Sequence, residues 1–303
     1  MTQAAEFLIF GGTGQQGGAV AKALRAEGRE VRAFVRNKDS EKAKALAATG
    51  ITLAVGDLFN RPSVDRAMEG IKGVFSVQTS SPGGELSDAQ EVQQGKTVAD
   101  SALDAGVNHL VYSSSGASGK GPTGMGHFDS KSEIEAYLRS LPLSVTITRP
   151  ASFMEMMMLP GMGLNSGNFS FFMQRDQSIQ MIALEDLGRI NAKILCNPER
   201  YVGQELELSS QALTGADLEH YFSKAAGHTI HYHRFPDQLL KHNAFLRQLT
   251  ALVDNGIVAG VADIPALEQE FGEMMKLDKW LASAGKRLFE DALSAPLADI
   301  QLR

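Results

Sequence analysis

The chain has 303 residues, carries 29 basic against 35 acidic side chains for a formal charge of −6, and is 43% hydrophobic. That length and balance describe a globular protein of about two domains with a real core, and the acidic surplus argues against direct binding to nucleic acid. One cysteine, Cys196, supports neither an internal disulfide nor a zinc cluster, and the apolar run 7–10 is too short for a signal peptide or a membrane span, so a cytoplasmic protein is expected.

The first half alternates short β-rich runs with helical patterns. Strands are predicted at 7–10, 31–35, 52–55, 74–77, 109–113 and 145–148, with helices at 16–27, 40–48, 63–68, 89–104 and 132–140. The strands are apolar on both faces, as befits a parallel sheet buried between two helical layers. Gly28, Gly50, Gly70 and Gly106 each follow a helical run, where a left-handed cap calls for glycine. After Pro150 the rhythm breaks. A methionine-rich stretch (Met154, Met156, Met157, Met158, Met162) leads into a loop at 161–168, followed by a helix at 185–196. A strand at 205–208 could return to the first sheet. A capped helix at 214–226, a short strand at 228–234 and helices from 237 onward complete the chain. The fold class is α/β: a doubly wound parallel sheet of the Rossmann type (residues 1–152) with a smaller mixed C-terminal domain (153–303) for a substrate or partner.

The first predicted strand runs straight into Gly11-Gly12-Thr13-Gly14-Gln15-Gln16-Gly17-Gly18 and then a helix. Gly11, Gly14 and Gly17 at this strand–turn–helix let the chain turn tightly, let backbone N–H groups approach a pyrophosphate, and let the helix pack closely on its strand. This predicts a dinucleotide site. NAD-binding units usually end their second strand on a carboxylate for the ribose hydroxyls. Here the strand ends Arg36-Asn37-Lys38, and the two cations suit a 2′-phosphate, so the expected cofactor is NADP(H). Asp57, after the third strand, is placed either to meet the adenine or to cap the following helix.

With these features go Gly56-Asp57, Tyr112-Ser113-Ser114, Arg149-Pro150, the run Gln90–Asp100, His127-Phe128-Asp129, Lys131 and Tyr201-Val202-Gly203-Gln204. Together they resemble an atypical short-chain dehydrogenase/reductase, and within that group the NmrA-like family, most closely its NADPH-sensor members. The resemblance implies cofactor contacts from Gly11, Gly12, Thr13, Gly14, Gln15 and Gln16, and from Arg36, Asn37 and Lys38. It adds Asp57 and Leu58 at the adenine, Gln78 and Thr79 after the fourth strand, Lys96 on the next helix, Lys131 at the ribose, and Ser152, Phe153, Met154 and Glu155 beside the nicotinamide. Met156 stands where the family usually has Asn. Ordinary members of the superfamily pair a catalytic Tyr with a Lys four residues on; here His127 stands in the tyrosine's place before Lys131. Residues i and i+4 share a helix face, and histidine is able to act as an acid near neutral pH, although a neighbouring ammonium depresses its protonation.

Other clusters carry less. Five of the seven histidines lie between His220 and His242, but no third ligand stands at metal-binding spacing near His231 and His233. The run 116–121 lacks the first glycine and the final Ser/Thr of a phosphate loop, and Ser113–Ser115 lack a nucleophile elbow. Seven methionines between Met154 and Met181 are either core or interface filler or a plastic wall for flat ligands such as quinones. Two functions fit: a redox sensor that reads NADPH against NADP⁺ and acts through a protein partner, or an NADPH-dependent oxidoreductase reducing quinones or similar flat acceptors. A homodimer is compatible with either.

Overall fold

The computed structural model describes residues 5–78, 86–296, 298 and 300. The elements run β1 (Phe7–Ile9), α1 (Gln15–Ala26), β2 (Val31–Val35), α2 (Glu41–Ala47), β3 (Thr52–Val55), α3 (Arg61–Met68), β4 (Gly73–Ser76), α4 (Asp88–Asp104), β5 (His109–Ser113), α5 (Gly126–Ser140) and β6 (Val145–Pro150). There follow β7 (Ser152–Phe153), 3-10 turns at Met154–Met158 and Leu164–Ser166, β8 (Asn168–Phe171), β9 (Ile179–Ile182), α6 (Leu184–Cys196), α7 (Pro198–Tyr201), β10 (Glu205–Leu208) and β11 (Gln211–Leu213). The chain continues through α8 (Gly215–Ala226), β12 (His231–Arg234), α9 (Asp237–His242), α10 (Ala244–Asp254), α11 (Ile264–Phe271), α12 (Leu277–Ala282) and α13 (Lys286–Ser294).

The chain divides into two compact units, one made of residues up to Arg149 with Leu184–Leu206, the other of Pro150–Ala183 with the chain from Glu207. The division is therefore not a single cut near residue 152. The helix expected at 185–196 belongs to the first unit because α6 packs tightly on α1: a Cβ on Gly188 would lie only 2.6 Å from the Ala19 carbonyl oxygen. Sequence periodicity defines that helix but not its neighbour.

In the first unit seven strands form one sheet in the order β10-β6-β5-β4-β1-β2-β3. The pairings from β3 to β6 are parallel. β10 joins in the same sense, since Ile147 N–H bonds the Gln204 carbonyl and Ala151 N–H that of Leu208, both partners advancing together. The inner strands β4 and β5 are buried along their whole length, whereas β3 exposes Thr52 and Val55, because an edge strand has a neighbour on one side only. Alternate strand residues Leu8, Val74, Leu110 and Tyr112 pack with Val64, Val98, Ile134 and Leu138 from α3, α4 and α5.

Helix starts follow local chemistry. Ser40 Oγ caps α2, and Ser87 with Gln90 forms a reciprocal capping box on α4. α5 departs most from expectation. It begins at Gly126, a turn and a half before the predicted residue 132, without a side-chain cap. Its first residue lies close under the exposed Asp88 carboxylate, which would have to swing aside for any Cβ at that position. The early start places His127 and Lys131 one turn apart on a single helix.

The second unit holds a three-stranded sheet, β11-β9-β7, and a parallel pair, β12-β8. β7, β8, β9 and β11 were not expected from sequence, being runs of two to four residues without room for an alternating pattern. Its core buries Met154, Met157, Met162, Met173 and Met181 with Phe169, Phe171, Phe222 and Trp280. Those five methionines fill gaps between short irregular elements, so for them the pocket-wall reading gives way to core filler; only Met156 and Met158 of the stretch stay partly exposed. No helix among the described residues is long and apolar enough to cross a membrane.

Candidate functional site

Ligands of open α/β sheets lie beyond the strands' carboxyl ends, where the strand order reverses. Here that point falls between β1 and β4, and the glycine run occupies it. Gly11 takes φ +66°, and a Cβ on it would approach Val77 Cγ1 to 2.7 Å. Its carbonyl accepts from Gly14 N–H at 2.8 Å, closing the turn. Gly14 caps α1 with no side-chain hydrogen bond and no acidic residue follows in the first turn, so the helix's leading N–H groups and positive end are left for an anion. Gly12 packs against β2, where a Cβ would stand 2.9 Å from that of Ala33. Gly17 is the tightest, since its Cβ would meet the Gly11 carbonyl oxygen at 2.4 Å. Gln15 is exposed and Thr13 half-buried on the loop's open side, while Gln16 Oε1 accepts from Ser113 Oγ at 2.6 Å, tying the loop to the end of β5.

At the next strand end, Asn37 shapes the turn: its Oδ1 accepts from Asp39 N–H at 2.8 Å and its carbonyl from Ser40 Oγ at 3.0 Å. The cations on either side, Arg36 and Lys38, are exposed at the rim. Asp57 does not cap α3, whose cap position is Asn60; its Oδ1 instead accepts from Phe59 N–H at 2.8 Å and braces the loop after β3. Gly56 fits between Phe34 and Ser63, where a Cβ would come within 2.6 Å of both, and Leu58 packs on the core beside it.

Two buried polar atoms at the strand ends have no hydrogen-bond partner among the described residues: Gln78 Oε1, whose amide nitrogen binds Ser76 Oγ at 2.8 Å, and Ser114 Oγ. Buried polar atoms in folded proteins are nearly always paired, so these orphans and the tight glycine cradle fit a polar ligand along the sheet edge. Thr79 lies outside the described residues.

On α5, His127 is half-buried and its pKa is lowered to about 4, by burial first and by the Lys131 charge second, against the opposing pull of Asp88 and Asp129. The depression by lysine was foreseeable; the larger part played by burial was not. His127 is thus a neutral imidazole at pH 7 and holds no proton to donate as an imidazolium. Asp129 serves the turn into α5, accepting from Thr123 N–H, Thr123 Oγ1 and Gly124 N–H. The Lys131 ammonium pairs with Oε1 of Glu91, a fully buried residue of α4, and the other carboxylate oxygen accepts from Ser130 Oγ at 2.8 Å. Sequence reasoning missed Glu91. Its only advance signal was a carboxylate among small and apolar residues on the inward side of the helix.

Other expected residues lie elsewhere. Lys96 pairs with Glu133 at 2.7 Å on the exposed side of the α4–α5 layer, with its ammonium over the Tyr137 ring, and is not brought to the Glu91–Lys131 pair. Ser113 and Ser115 direct their hydroxyls to Gln16 and Ser118. Ser152 and Phe153 pair with β9 inside the second unit, Met154 is buried in that unit's core, and Glu155 accepts from Trp280 Nε1 at 3.3 Å. His231 and His233 are exposed on β12, and no cluster of three or more potential metal ligands occurs among the described residues.

The sheet order, the glycine turn at its switch point and the helices on both faces define a Rossmann-type α/β protein. The chain belongs to the NmrA-like family, whose model matches residues 3–295. An NmrA-like family domain-containing oxidoreductase of Malbranchea aurantiaca, malD, is 31% identical over 255 residues, 75% of this chain and 74% of that protein. The NADPH-dependent quinone oxidoreductase QOR2 of Escherichia coli, solved with NADPH, has a TM-score of 0.76 at 23% identity, covering 92% of this chain and 99% of its own. The negative transcriptional regulator NmrA, solved with NADP, has a TM-score of 0.69 at 23% identity over 97% of this chain and 96% of its own.

Proposed function

We propose that this protein is an NADPH-dependent oxidoreductase acting on quinones or similarly flat, conjugated acceptors. Gly11 to Gln16 would hold the pyrophosphate, Arg36 to Lys38 the 2′-phosphate, Asp57 and Leu58 the adenine end, Gln78 and Ser114 the strand-end polar groups, and Lys131 the nicotinamide ribose. The bound dinucleotide supplies a hydride.

The observation that carries the choice of acceptor is the neutral, half-buried His127 in the place of an acid. Reduction of an isolated carbonyl needs a proton delivered to the developing alkoxide. A quinone accepts hydride into a delocalised anion and takes its proton from water, so it tolerates the loss of a positioned acid. The curated oxidoreductase relative and the quinone reductase of like fold support this reading.

The test follows consumption of NADPH, then NADH, against quinones, aldehydes and ketones. The expected result is NADPH-preferring turnover with quinones that survives His127→Ala and falls with Lys131→Ala. An unaffected Lys131→Ala variant overturns it. A second reading, an NADPH/NADP⁺ sensor acting through a protein partner, draws on the same missing acid and on the likeness to the regulator NmrA. Tight NADPH binding with no consumption by any acceptor favours the sensor. Equal binding of NADPH and NADP⁺, with no change in oligomeric state or amide protection, excludes it, since a ligand with equal affinity for two states shifts nothing.

A further inference from the structure

We propose that Glu91 is a positioning residue for the cofactor site, presenting Lys131 to the nicotinamide ribose as a charge-compensated ammonium held at a fixed point. The proposal rests on the NADP(H) reading above. Three features of the pair support it. Glu91 is fully buried and Lys131 nearly so, although both carry charge. Both carboxylate oxygens are engaged, Oε1 by the Lys131 ammonium and Oε2 by Ser130 Oγ at 2.8 Å, so the carboxylate is clamped from two successive residues of α5 and cannot rotate freely. An ammonium has three donors in tetrahedral directions and Glu91 takes one, which fixes where the other two aim.

Purely structural packing does not require this arrangement. A buried ion pair is seldom more stabilising than apolar residues of the same volume, whereas a site that must hold a cation in one orientation needs it. The other titratable groups around the pair are Asp88 on α4, Tyr112 on β5, and His127, Asp129 and Glu135 on α5. Asp129 is engaged with the 123–124 turn and Glu135 with Arg149, so neither replaces Glu91 as the partner of Lys131. The Tyr112 hydroxyl is buried with no hydrogen-bond partner among the described residues, and burial with the Glu91 and Glu135 charges holds it protonated.

The experiment is NADPH binding by fluorescence titration between about pH 7 and 9, where lysine ammonium and carboxylate are ordinarily both charged, alongside thermal unfolding. Wild type is expected to bind NADPH with little pH dependence over this range. In Glu91→Gln the ammonium is buried without its counter-charge and gives up its proton more readily, so affinity falls as pH rises, at the limit by roughly tenfold per pH unit. Glu91→Asp keeps the charge but withdraws it by one methylene, and is expected to weaken binding by about tenfold, with no new pH dependence. Glu91→Gln binding like wild type at every pH overturns the proposal. If Glu91→Gln fails to fold, Glu91→Asp decides: weakened binding at unchanged melting temperature supports the positioning role, and unchanged binding overturns it. Failure of the wild type itself to bind NADPH would instead refute the NADP(H) reading.

Discussion

Gly17→Ala separates a glycine needed for cofactor binding from one needed only for folding. The added Cβ would lie 2.4 Å from the Gly11 oxygen, 2.5 Å from the Gly11 carbonyl carbon and 2.6 Å from the Phe10 oxygen, all backbone atoms with no side chain to swing aside. Comfortable carbon contacts need about 3.5 Å, so the glycine loop and the start of α1 must separate by roughly 1 Å. Overpacking of this kind costs about 1–3 kcal/mol of stability. The same movement displaces the N–H groups offered to the pyrophosphate; loss of one charge-assisted hydrogen bond, at about 1.5–3 kcal/mol, weakens NADPH roughly 10- to 150-fold. Gly28→Ala is the control. Gly28 has φ +75° with nothing within 4 Å of an added Cβ, so the variant pays only the left-handed backbone cost of about 1–2 kcal/mol, and NADPH affinity stays at the wild-type value. Urea unfolding measures the two stabilities and fluorescence titration the two affinities. Similar affinities for Gly17→Ala and Gly28→Ala would refute the assignment of the glycine turn as the phosphate cradle.

Replacing Arg36 and Lys38 together by alanine removes the exposed cations at the end of β2, and is expected to lower NADPH affinity about tenfold or more while leaving NADH binding nearly unchanged; titration with both dinucleotides checks it, and equal losses for the two would place the 2′-phosphate elsewhere. His109 and His127 both have pKa values lowered from 6.5 to about 4, each chiefly by burial. Because the unfolded chain binds more protons than the folded one between those values, their stabilisation is complete above pH 6.5 and is lost as pH falls toward 4, by up to about 1.4 kcal/mol per pH unit for each histidine. Urea unfolding across that interval is expected to show a flatter pH dependence for the His109→Gln/His127→Phe variant; a slope identical to wild type would show that burial does not perturb these rings.

The Rossmann half was legible in sequence because each of its signals is local. Strand β1, the glycine turn and α1 are consecutive, and the cations at Arg36 and Lys38 follow directly on β2. The first cap signals were equally local, with Ser40 beside α2 and Thr214 beside α8. The second unit was less legible because its strands are two to four residues long and are paired across long stretches of chain, as when Gln211 pairs with Met181 and His231 with Asn168. A run that short has no periodicity of its own.

Sequence alone determined the parallel sheet, the glycine turn between its first strand and first helix, the lack of a carboxylate at the end of β2 and the substitution of His127 for tyrosine, each being a matter of residue identity at a known spacing. Only the tertiary structure decided that α6 belongs with α1, that Asp57 braces its own loop, that Met154 is core, and that His127 is neutral while Lys131 is held by Glu91 from forty residues away. The physical reason is that burial and charge pairing depend on which side chains meet across separate elements, and no local pattern encodes that meeting.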